Sequence, residues 1–470
     1  MNTIWADTLA TATGPKYRAV ADRIRRAVQT GELSAGEKLP PVRELAYQLE
    51  ITPGTVARAY TLLTDEGVLQ AEVGRGTFVS PPQAPLAPLM DDVWSRSISA
   101  EKPGQEASLN LFAPRLPDVG QVAAIRQALR QAAEVCDDLL LDYPRRDSYR
   151  PVRQAVVDWL SDQRLGPLGE QDVVLTHGGQ NAILTVYQAV LTGPQPVVLV
   201  EELSYAGFRR AAELTRATVE GVQMDAHGMI PEALDSAARR TGAQLICVSP
   251  EVHNPTCTHM PLERRRALIA VARRHGLQIV EDECYRMGAA HAPSLRSLAP
   301  DITWHVTSIS KQITPALRVG FALAPLDQAV NLRRVAEYAY FGLSQPQAEV
   351  ARLLLSNPRT RELADLARAR LADYVRITVN ALGSYDLNWN AAVPFVWLRL
   401  PAGWRAAAFC RAAEREGIQI RSADEFALRD GRAPHAVRIA MNGQVPLERF
   451  GEAMQQLRRL LDNPPELIAV

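Results

Sequence analysis

From residue 119 onward, segments with helical spacing of apolar residues alternate with short, fully apolar runs. The runs lie at 173–175, 197–200, 245–248 and 277–280. Strands that alternate with helices need crossover connections, which give a mostly parallel sheet buried on both faces. Ligands of such sheets bind beyond the carboxyl ends of the strands. The alternation therefore predicts an α/β domain and the edge of the sheet where its site lies.

The helices between these runs follow the 3.6-residue period. They are predicted at 122–133, 149–162, 180–191, 205–214, 231–240 and 262–275. This pattern defines a large part at about 119–330. The remainder, about 331–470, combines a long helical pattern with the apolar run 395–400, which indicates a smaller C-terminal part.

Residues suited to binding a ligand follow the predicted strands. Gly179 and Gln180 open a helix after the first run, where exposed backbone N–H groups and the helix dipole can hold a phosphate, although a plain strand–helix turn has the same sequence. Lys311 follows another buried run, 302–308. Its amine can form a Schiff base with an aldehyde, and neighbouring hydroxyls and an arginine can hold a phosphate; these are Ser308, Ser310 and Arg318. An incidental lysine at a strand end is the alternative.

The stretch around Lys311 resembles the class I (aspartate aminotransferase-like) pyridoxal-phosphate family, which has Ser-x-Ser-Lys followed by Arg-x-Gly. Residues 282–285 match the family's Asp-Glu-x-Tyr, and 254–256 match Asn-Pro-Thr, with Cys257 replacing the usual glycine. The resemblance implies aminotransferase fold type I and pyridoxal 5'-phosphate as cofactor. It also implies a set of cofactor-binding residues: Lys311, Asp282, Tyr285, Asn254, Tyr205, Gly179, Gln180, Ser308, Ser310 and Arg318.

The same resemblance implies individual roles. Asp282 keeps the pyridine nitrogen protonated, Tyr285 and Asn254 share the phenolate oxygen, and Tyr205 lies on the ring. Arg438 matches the arginine that binds a substrate carboxylate, a contact that suits a guanidinium. Tyr143 resembles the tyrosine that crosses a dimer to the cofactor phosphate, with Ser148 where a glycine is usual. A core or surface tyrosine at a helix start is the alternative for Tyr205.

The first eighty residues predict a different unit. Helices are predicted at 17–30, 42–49 and 53–67, followed by two strands at 68–73 and 76–79. Two short helices joined by a tight turn, followed by a β-hairpin, form a winged helix-turn-helix. This stretch resembles the GntR family of regulators. The matching segments are Gly31-Glu-Leu, Leu39-Pro, Arg43-Glu-Leu-Ala, Thr55-Val, Ala59-Tyr, Leu63, Glu66-Gly and Gly74-Arg-Gly-Thr-Phe.

The GntR resemblance implies double-stranded DNA as a partner. The residues implied at the major groove or its phosphates are Arg43, Thr52, Thr55 and Arg58, and Arg75 is implied at the minor groove. Pro53 and Gly54 stand where the family usually has polar or basic residues, and this departure leaves the part of these two positions in base readout open. The alternative is a winged helix used only for protein contacts.

The boundaries predicted are 1–80 for the DNA-binding domain, 81–108 for a Pro-rich linker and 109–470 for the aminotransferase-like domain. Basic and acidic residues are equal at 52 each, so no overall field favours nucleic acid or membranes. The five scattered cysteines show no zinc spacing and indicate reduced thiols, and no metal is expected. The absence of a signal peptide and of a long apolar run predicts a cytoplasmic protein without a membrane partner.

Together the two halves resemble the MocR arrangement. This implies a bacterial transcription regulator, a head-to-tail homodimer on paired half-sites, that binds pyridoxal phosphate on Lys311 and senses a small amino compound. A working aminotransferase with an accessory head is the alternative, because Lys311, Asp282 and Arg438 are all present. In a third interpretation the body binds an effector and Lys311 is purely structural.

Overall fold

The computed structural model describes residues 16–34, 36–65, 68–72, 76–80, 108–135, 140–428 and 431–464. The chain divides into two compact units between Ala100 and Glu101. Arg75, Cys136 and the predicted linker up to residue 107 lie outside the described residues. Within the described ranges, the helices are all too short or too polar to cross a membrane.

The N-terminal unit contains the elements that the sequence predicts. Its helices are Lys16–Gln29, Val42–Gln48 and Pro53–Asp65, and its antiparallel strands are β1 (Leu69–Glu72) and β2 (Gly76–Val79). The apolar faces of the three helices meet in one buried core, which contains Val20, Ile24, Leu45, Val56 and Leu63. Burial of this core, rather than helix propensity, holds such short helices in place.

The hairpin is extended by a segment that has no periodic pattern. Leu39 N donates to Thr77 O and Val79 N donates to Glu37 O, both at 2.9 Å. Residues 36–39 thus pair with β2 and add a third extended segment to the wing. Gly76 has a φ of +122°, a backbone conformation that strains residues with a Cβ, so this position favours glycine.

The C-terminal unit contains fifteen strands among the described residues. They are β3 (Leu109–Asn110), β4 (Val173–Thr176), β5 (Val197–Glu201), β6 (Thr218–Val222), β7 (Met224–Asp225), β8 (Gly228–Met229), β9 (Leu245–Val248), β10 (Gln278–Asp282), β11 (Thr303–Ser308), β12 (Gly320–Leu323), β13 (Leu387–Asn388), β14 (Phe395–Arg399), β15 (Ile418–Gln419), β16 (Arg421–Ser422) and β17 (Ala436–Ala440).

Seven of these strands form the large sheet, in the order β4-β12-β11-β10-β9-β5-β6. β12 is antiparallel to both of its neighbours, and the other neighbouring pairs are parallel. Adjacent residues of one strand enter different cores: Ile246 packs in one cluster and Cys247 in another. The sheet is therefore buried on both faces, and the predicted mostly parallel α/β fold is confirmed.

The helices that cover this unit agree with the predicted pattern to within a few residues. They are Gln121–Val135, Arg150–Trp159, Gly179–Val190, Ala206–Leu214, Pro231–Thr241, Leu262–His275, Leu295–Leu298, Ala329–Tyr340, Gln345–Leu355, Pro358–Leu382, Ala406–Arg415 and Leu447–Asp462. The smaller part is built on a second sheet, in the order β13-β14-β17-β16. The core beneath this second sheet includes Leu371, Phe409 and Phe450.

Candidate functional site

Lys311 lies at the carboxyl end of β11, where the strand passes into the short helical turn Ile309–Lys311. The turn begins at Ser308, whose hydroxyl accepts from Ser310 N at 3.4 Å. Lys311 is the only lysine in residues 109–470. Its Nζ lies 5.1 Å from the centre of the Tyr285 ring. An aldehyde that reacts with a lysine of this domain can therefore reach only one amine.

Asp282 ends β10, the strand next to β11, and its side chain is buried. Burial raises the pKa of this carboxyl, although hydrogen bonds from Cys284 act in the opposite direction. Cys284 N donates to Asp282 Oδ1 at 3.0 Å. A buried carboxylate of this kind is stabilised by a cation placed against it, such as a protonated ring nitrogen.

The Tyr285 phenol lies in a strongly positive environment. Burial alone would raise its pKa, but the positive charges of Lys311, Arg438 and Arg421 outweigh this effect and lower it. Its ring packs edge-on against Phe395, with the ring centres 5.0 Å apart. The hydroxyl is thus held where it can contact an anionic oxygen of a ligand.

Arg438, on β17, is buried and held by two acceptors. Its Nη1 donates to Asn254 Oδ1 at 2.5 Å, and its Nη2 donates to Phe112 O at 2.7 Å. The guanidinium lies 5.1 Å from the centre of the Phe395 ring and 4.9 Å from that of Phe426. Its Nε has no partner among the described residues. The Nε–H donor thus remains for a ligand, and burial lowers the pKa of Arg438.

Arg421 is a further cation that the sequence analysis missed. It lies opposite Arg438 in the pairing of β16 with β17. Its Nε donates to the same Phe112 carbonyl oxygen at 2.8 Å, and it forms an ion pair with Glu425. Its short strand matches no motif, so only the pairing of the strands reveals its position.

A cluster of glycines lies beside Arg318. A Cβ on Gly178 would lie 2.4 Å from Arg318 Nη2, and one on Gly179 would lie 2.4 Å from Cys284 Sγ. A Cβ on Gly320 would lie 2.5 Å from the Gly178 carbonyl carbon. The absent side chains leave the backbone at the start of helix Gly179–Val190 open beside an exposed guanidinium. This combination suits a phosphate.

Gln180 and Tyr205 meet at Gly207, where a Cβ would lie 2.1 Å from an atom of each. Gln180 Nε2 donates to Gly207 O at 2.9 Å, and its buried Oε1 has no partner among the described residues. Burial raises the pKa of the Tyr205 phenol, and the charges of Tyr285 and Asp282 raise it further. The unpartnered Gln180 oxygen is an acceptor, so a ligand would satisfy it with a donor group.

The structure brings together in one chain all but one of the predicted cofactor residues. The chemistry of these residues fits the groups of pyridoxal phosphate. The lysine suits the aldehyde, the buried carboxylate suits the ring nitrogen, the tyrosine and the asparagine suit the ring oxygen, and the glycine cradle suits the phosphate. Tyr143 is the exception, since its side chain is 78% exposed and its ring lies 5.6 Å from that of Phe341, also exposed. Within its own chain Tyr143 is a surface residue.

The N-terminal unit exposes the side chains expected to face DNA. Arg43, Thr52 and Arg58 are exposed, and Thr55 is partly exposed. The hydroxyl oxygens of Thr52 and Thr55 lie 2.9 Å apart, so one of them donates to the other. The Arg58 guanidinium lies 4.3 Å from the centre of the Tyr17 ring. Tyr47 is 88% exposed and was not singled out from the sequence.

Comparisons with known proteins agree with both units. Residues 113–457 match the family described as aminotransferase class I and II, and residues 16–79 match bacterial regulatory proteins of the gntR family. The HTH-type transcriptional regulator YdeF of Bacillus subtilis, itself uncharacterized, is 28% identical over 98% of this chain and 97% of its own length. The probable rhizopine catabolism regulatory protein MocR of Rhizobium meliloti is 24% identical, over 78% and 80%.

Among solved structures, an archaeal alanine:glyoxylate aminotransferase superposes with a TM-score of 0.69. It covers 80% of this chain and 95% of its own, at 21% identity, which supports the fold. Fold and site thus define an aminotransferase-like domain joined to a DNA-binding winged helix-turn-helix. The chain belongs to the class I and II aminotransferase family and carries a gntR-family DNA-binding head. The predicted resemblance to both families, and to MocR, is confirmed.

Proposed function

We propose that this protein is a transcription regulator that binds DNA through its head and pyridoxal phosphate through Lys311, and that it senses a small amino compound. The observation that carries the proposal is that one chain contains both a gntR-family head and a cofactor site. That site has every residue that is expected to bind pyridoxal phosphate from within one subunit. An aminotransferase that acts only in metabolism has no use for such a head.

Different residues of this chain would contact different groups of the cofactor. Asp282 would pair with the ring nitrogen, Asn254 and Tyr285 would contact the ring oxygen, and Tyr205 would lie against the ring. Five residues would hold the phosphate: Gly179, Gln180, Ser308, Ser310 and Arg318. When bound, pyridoxal phosphate supplies an electrophilic aldehyde carbon and an electron-withdrawing ring for chemistry on amines.

The effector is an amino compound that carries a carboxylate. Arg438 lies close to two aromatic rings with its Nε–H donor unused, which is the arrangement that a carboxylate oxygen would complete. Arg421 adds a second positive charge beside it. An amine without a carboxylate would leave the buried Nε–H of Arg438 without an acceptor, so the site selects amino acids over simple amines.

We infer further that the protein acts in the cytoplasm as a head-to-tail homodimer on paired half-sites. Tyr143 and Phe341 form an exposed aromatic pair, and Tyr143 would complete the phosphate site of the opposite subunit. A DNA-binding protein must share a compartment with DNA. Effector binding would favour one arrangement of the dimer and so change operator affinity.

An active aminotransferase with an accessory head is the second candidate, supported by the retention of Lys311, Asp282 and Tyr285 in one site. Regulator and enzyme share the cofactor, so cofactor binding does not distinguish them. Turnover does: rapid transamination with no effect on DNA binding is expected of the enzyme, and slow or absent turnover with changed DNA binding is expected of the regulator.

Covalent attachment tests the site directly. Purified protein is incubated with pyridoxal phosphate, reduced with borohydride and digested, and the modified peptide is identified by mass. We expect one label in residues 109–470, on Lys311, and loss of visible absorbance in Lys311→Ala. Lys38→Ala, which changes a lysine of the head, is the control and keeps both signals. A stable label elsewhere, or an unchanged spectrum in Lys311→Ala, contradicts the assignment.

A further inference from the structure

A cavity of about 210 Å³ lies in the C-terminal unit. Its walls come from the end of helix Arg150–Trp159 and the residues after it, from the segment that follows Tyr285, and from helix Pro358–Leu382. The side chains that carry its chemistry are Asp162, Gln163, Arg286, Arg361, Asp365 and Arg368. None of these residues belongs to the cofactor site described above.

One residue of the cavity wall carries a buried polar atom without a partner. Gln163 is only 5% exposed, and its Oε1 has no hydrogen-bond partner among the described residues. A buried acceptor without a donor is costly, and native proteins rarely leave one unless a ligand or water satisfies it. Gln163 lines the cavity, so a donor bound there would complete its hydrogen bonding.

Three arginines of the cavity are held in place by backbone carbonyl groups. Arg286 Nη1 donates to Gly288 O at 2.9 Å. Arg361 Nη2 donates to Trp159 O at 2.8 Å, and Arg368 Nη1 donates to Met287 O at 3.1 Å. Each contact uses one N–H of a group that has five, so the guanidiniums are oriented and still have donors available.

Two carboxylates stand among these arginines. Arg368 Nη2 lies 3.0 Å from Asp365 Oδ1, and Arg361 Nη1 lies 3.4 Å from Asp162 Oδ2. Arg286 is more distant from its carboxylate, with Nη2 3.9 Å from Asp162 Oδ1, and it is buried. Among the residues that line the cavity, three guanidiniums stand against two carboxylates, an excess of one positive charge, and acceptors are present for a positively charged donor.

We propose that this cavity binds an acidic amino acid, a molecule with one ammonium and two carboxylates. Its single net negative charge matches the cavity, its ammonium faces the Gln163 amide oxygen and Asp162, and its carboxylates face the guanidiniums. Inorganic phosphate matches only the guanidiniums. The ligand joins the helix Pro358–Leu382 of the smaller part to the large part, independently of the function proposed for Lys311.

The cavity also lies close to the cofactor site along the chain. Arg286 follows Tyr285 and Gln312 follows Lys311, and Gln312 Nε2 donates to Arg286 O at 2.8 Å. This hydrogen bond joins the segment that follows Tyr285 to the segment that follows Lys311, and residues of both segments line the cavity. A ligand in the cavity therefore contacts the supports of the cofactor site without entering it.

The test uses the full-length protein with the cofactor fixed on Lys311 by borohydride reduction, in an Arg438→Gln background. Both changes prevent an amino acid from occupying the cofactor site. Calorimetric titration with L-glutamate is expected to show one site per chain, with inorganic phosphate at least tenfold weaker. Gln163→Leu and Arg368→Gln should each weaken L-glutamate at least tenfold. Arg370→Gln is the matched control, because Arg370 also pairs with an aspartate three residues away on the same helix.

The control should bind L-glutamate within twofold of the parent. Arg368→Gln changes a partly exposed residue, so it provides the test if the buried Gln163→Leu variant does not fold. Absence of L-glutamate binding to the parent protein overturns the proposal. So does binding that is unaffected by Arg368→Gln, or phosphate binding equal to that of L-glutamate.

Discussion

Arg438 Nη1 lies 2.5 Å from Asn254 Oδ1, so the residue proposed to bind the effector carboxylate is held by the residue proposed to contact the cofactor ring. The two are 184 positions apart in the chain and come from β17 and the loop after β9. Any movement of Asn254 on cofactor binding is thus transmitted directly to the guanidinium. This contact makes the two halves of the site dependent on each other.

The Arg438–Asn254 contact predicts non-additive substitutions. Arg438→Gln and Asn254→Ala should each weaken binding of the most effective amino acid, because hydrogen bonds to charged groups contribute about 1.5–3 kcal/mol. The double variant should lose less than the sum of the two, by about 0.5–3 kcal/mol. The spectral change of the holoprotein on titration with the amino acid measures this. Arg399→Gln, an exposed arginine on β14, is the control; simple additivity would mean that the two residues act independently.

Asp282→Asn should affect the free and cofactor-bound proteins in opposite directions. Burial raises the pKa of Asp282 above its unfolded value. The unpaired charge therefore costs stability above the folded pKa, and this cost disappears below the unfolded value of about 3.9. Near neutral pH the cofactor-free variant should be at least as stable as the wild type. Its cofactor affinity should fall by about 2–5 kcal/mol. Thermal unfolding with and without pyridoxal phosphate measures both, and equal stabilisation of the two proteins by the cofactor would contradict the assignment.

Tyr285 should be an unusually acidic tyrosine in the cofactor-free protein. Burial opposes its ionisation, but Lys311, Arg438 and Arg421 lower its pKa below the ordinary value of about 10. Burial instead raises the pKa of Tyr149 and Tyr340 to about 12, so these ionise later. Near-ultraviolet absorbance during a pH titration should show an early phase. That phase should be absent in Tyr285→Phe and should move to higher pH in Lys311→Ala; an early phase that survives in Tyr285→Phe belongs to another residue.

The sequence predicted what depends on local pattern. Apolar runs bounded by turn residues gave strands correct to within one or two residues, and helix 262–275 was predicted with the observed ends. The lysine, carboxylate and asparagine were located because each follows a strand whose carboxyl end faces the same edge of the sheet. The family motifs and the predicted sheet topology thus located these three residues at the same place.

What the sequence did not predict depends on contacts between distant segments. The spacing of apolar residues does not predict that β12 is antiparallel, nor that it lies between β4 and β11. Arg421 joins the site only through the pairing of β16 with β17, and residues 36–39 join the wing only through backbone hydrogen bonds. Gln163 gains its significance from burial without a partner, which only packing determines.

The head should show two kinds of DNA contact. Arg43 lies on the first helix of the helix-turn-helix, so Arg43→Gln should weaken binding to all sequences and lower the salt slope by about one. Thr55 is in the second helix, so Thr55→Val should weaken binding to the operator by about 1–3 kcal/mol. It should also relax the sequence preference at one base pair only. Titrations of operator and point-substituted operators at several salt concentrations measure both. Arg25→Gln, in the helix before this motif, is the control. A salt slope that is unchanged in Arg43→Gln would remove Arg43 from the interface.

The last prediction separates regulator from enzyme. With pyridoxal phosphate bound, the most effective amino acid should change operator affinity by more than fivefold, since coupling between sites is typically about 1–3 kcal/mol. Arg438→Gln should abolish this change while the cofactor remains attached to Lys311, because the guanidinium contacts the effector and not the attachment point. Lys311→Ala should abolish both the change in operator affinity and the attachment of the cofactor. Fluorescence anisotropy of labelled operator measures affinity, and production of a keto acid from the same amino acid measures turnover. Brisk turnover with operator affinity changed less than twofold would mean that the body works as an aminotransferase and that the head acts independently of it.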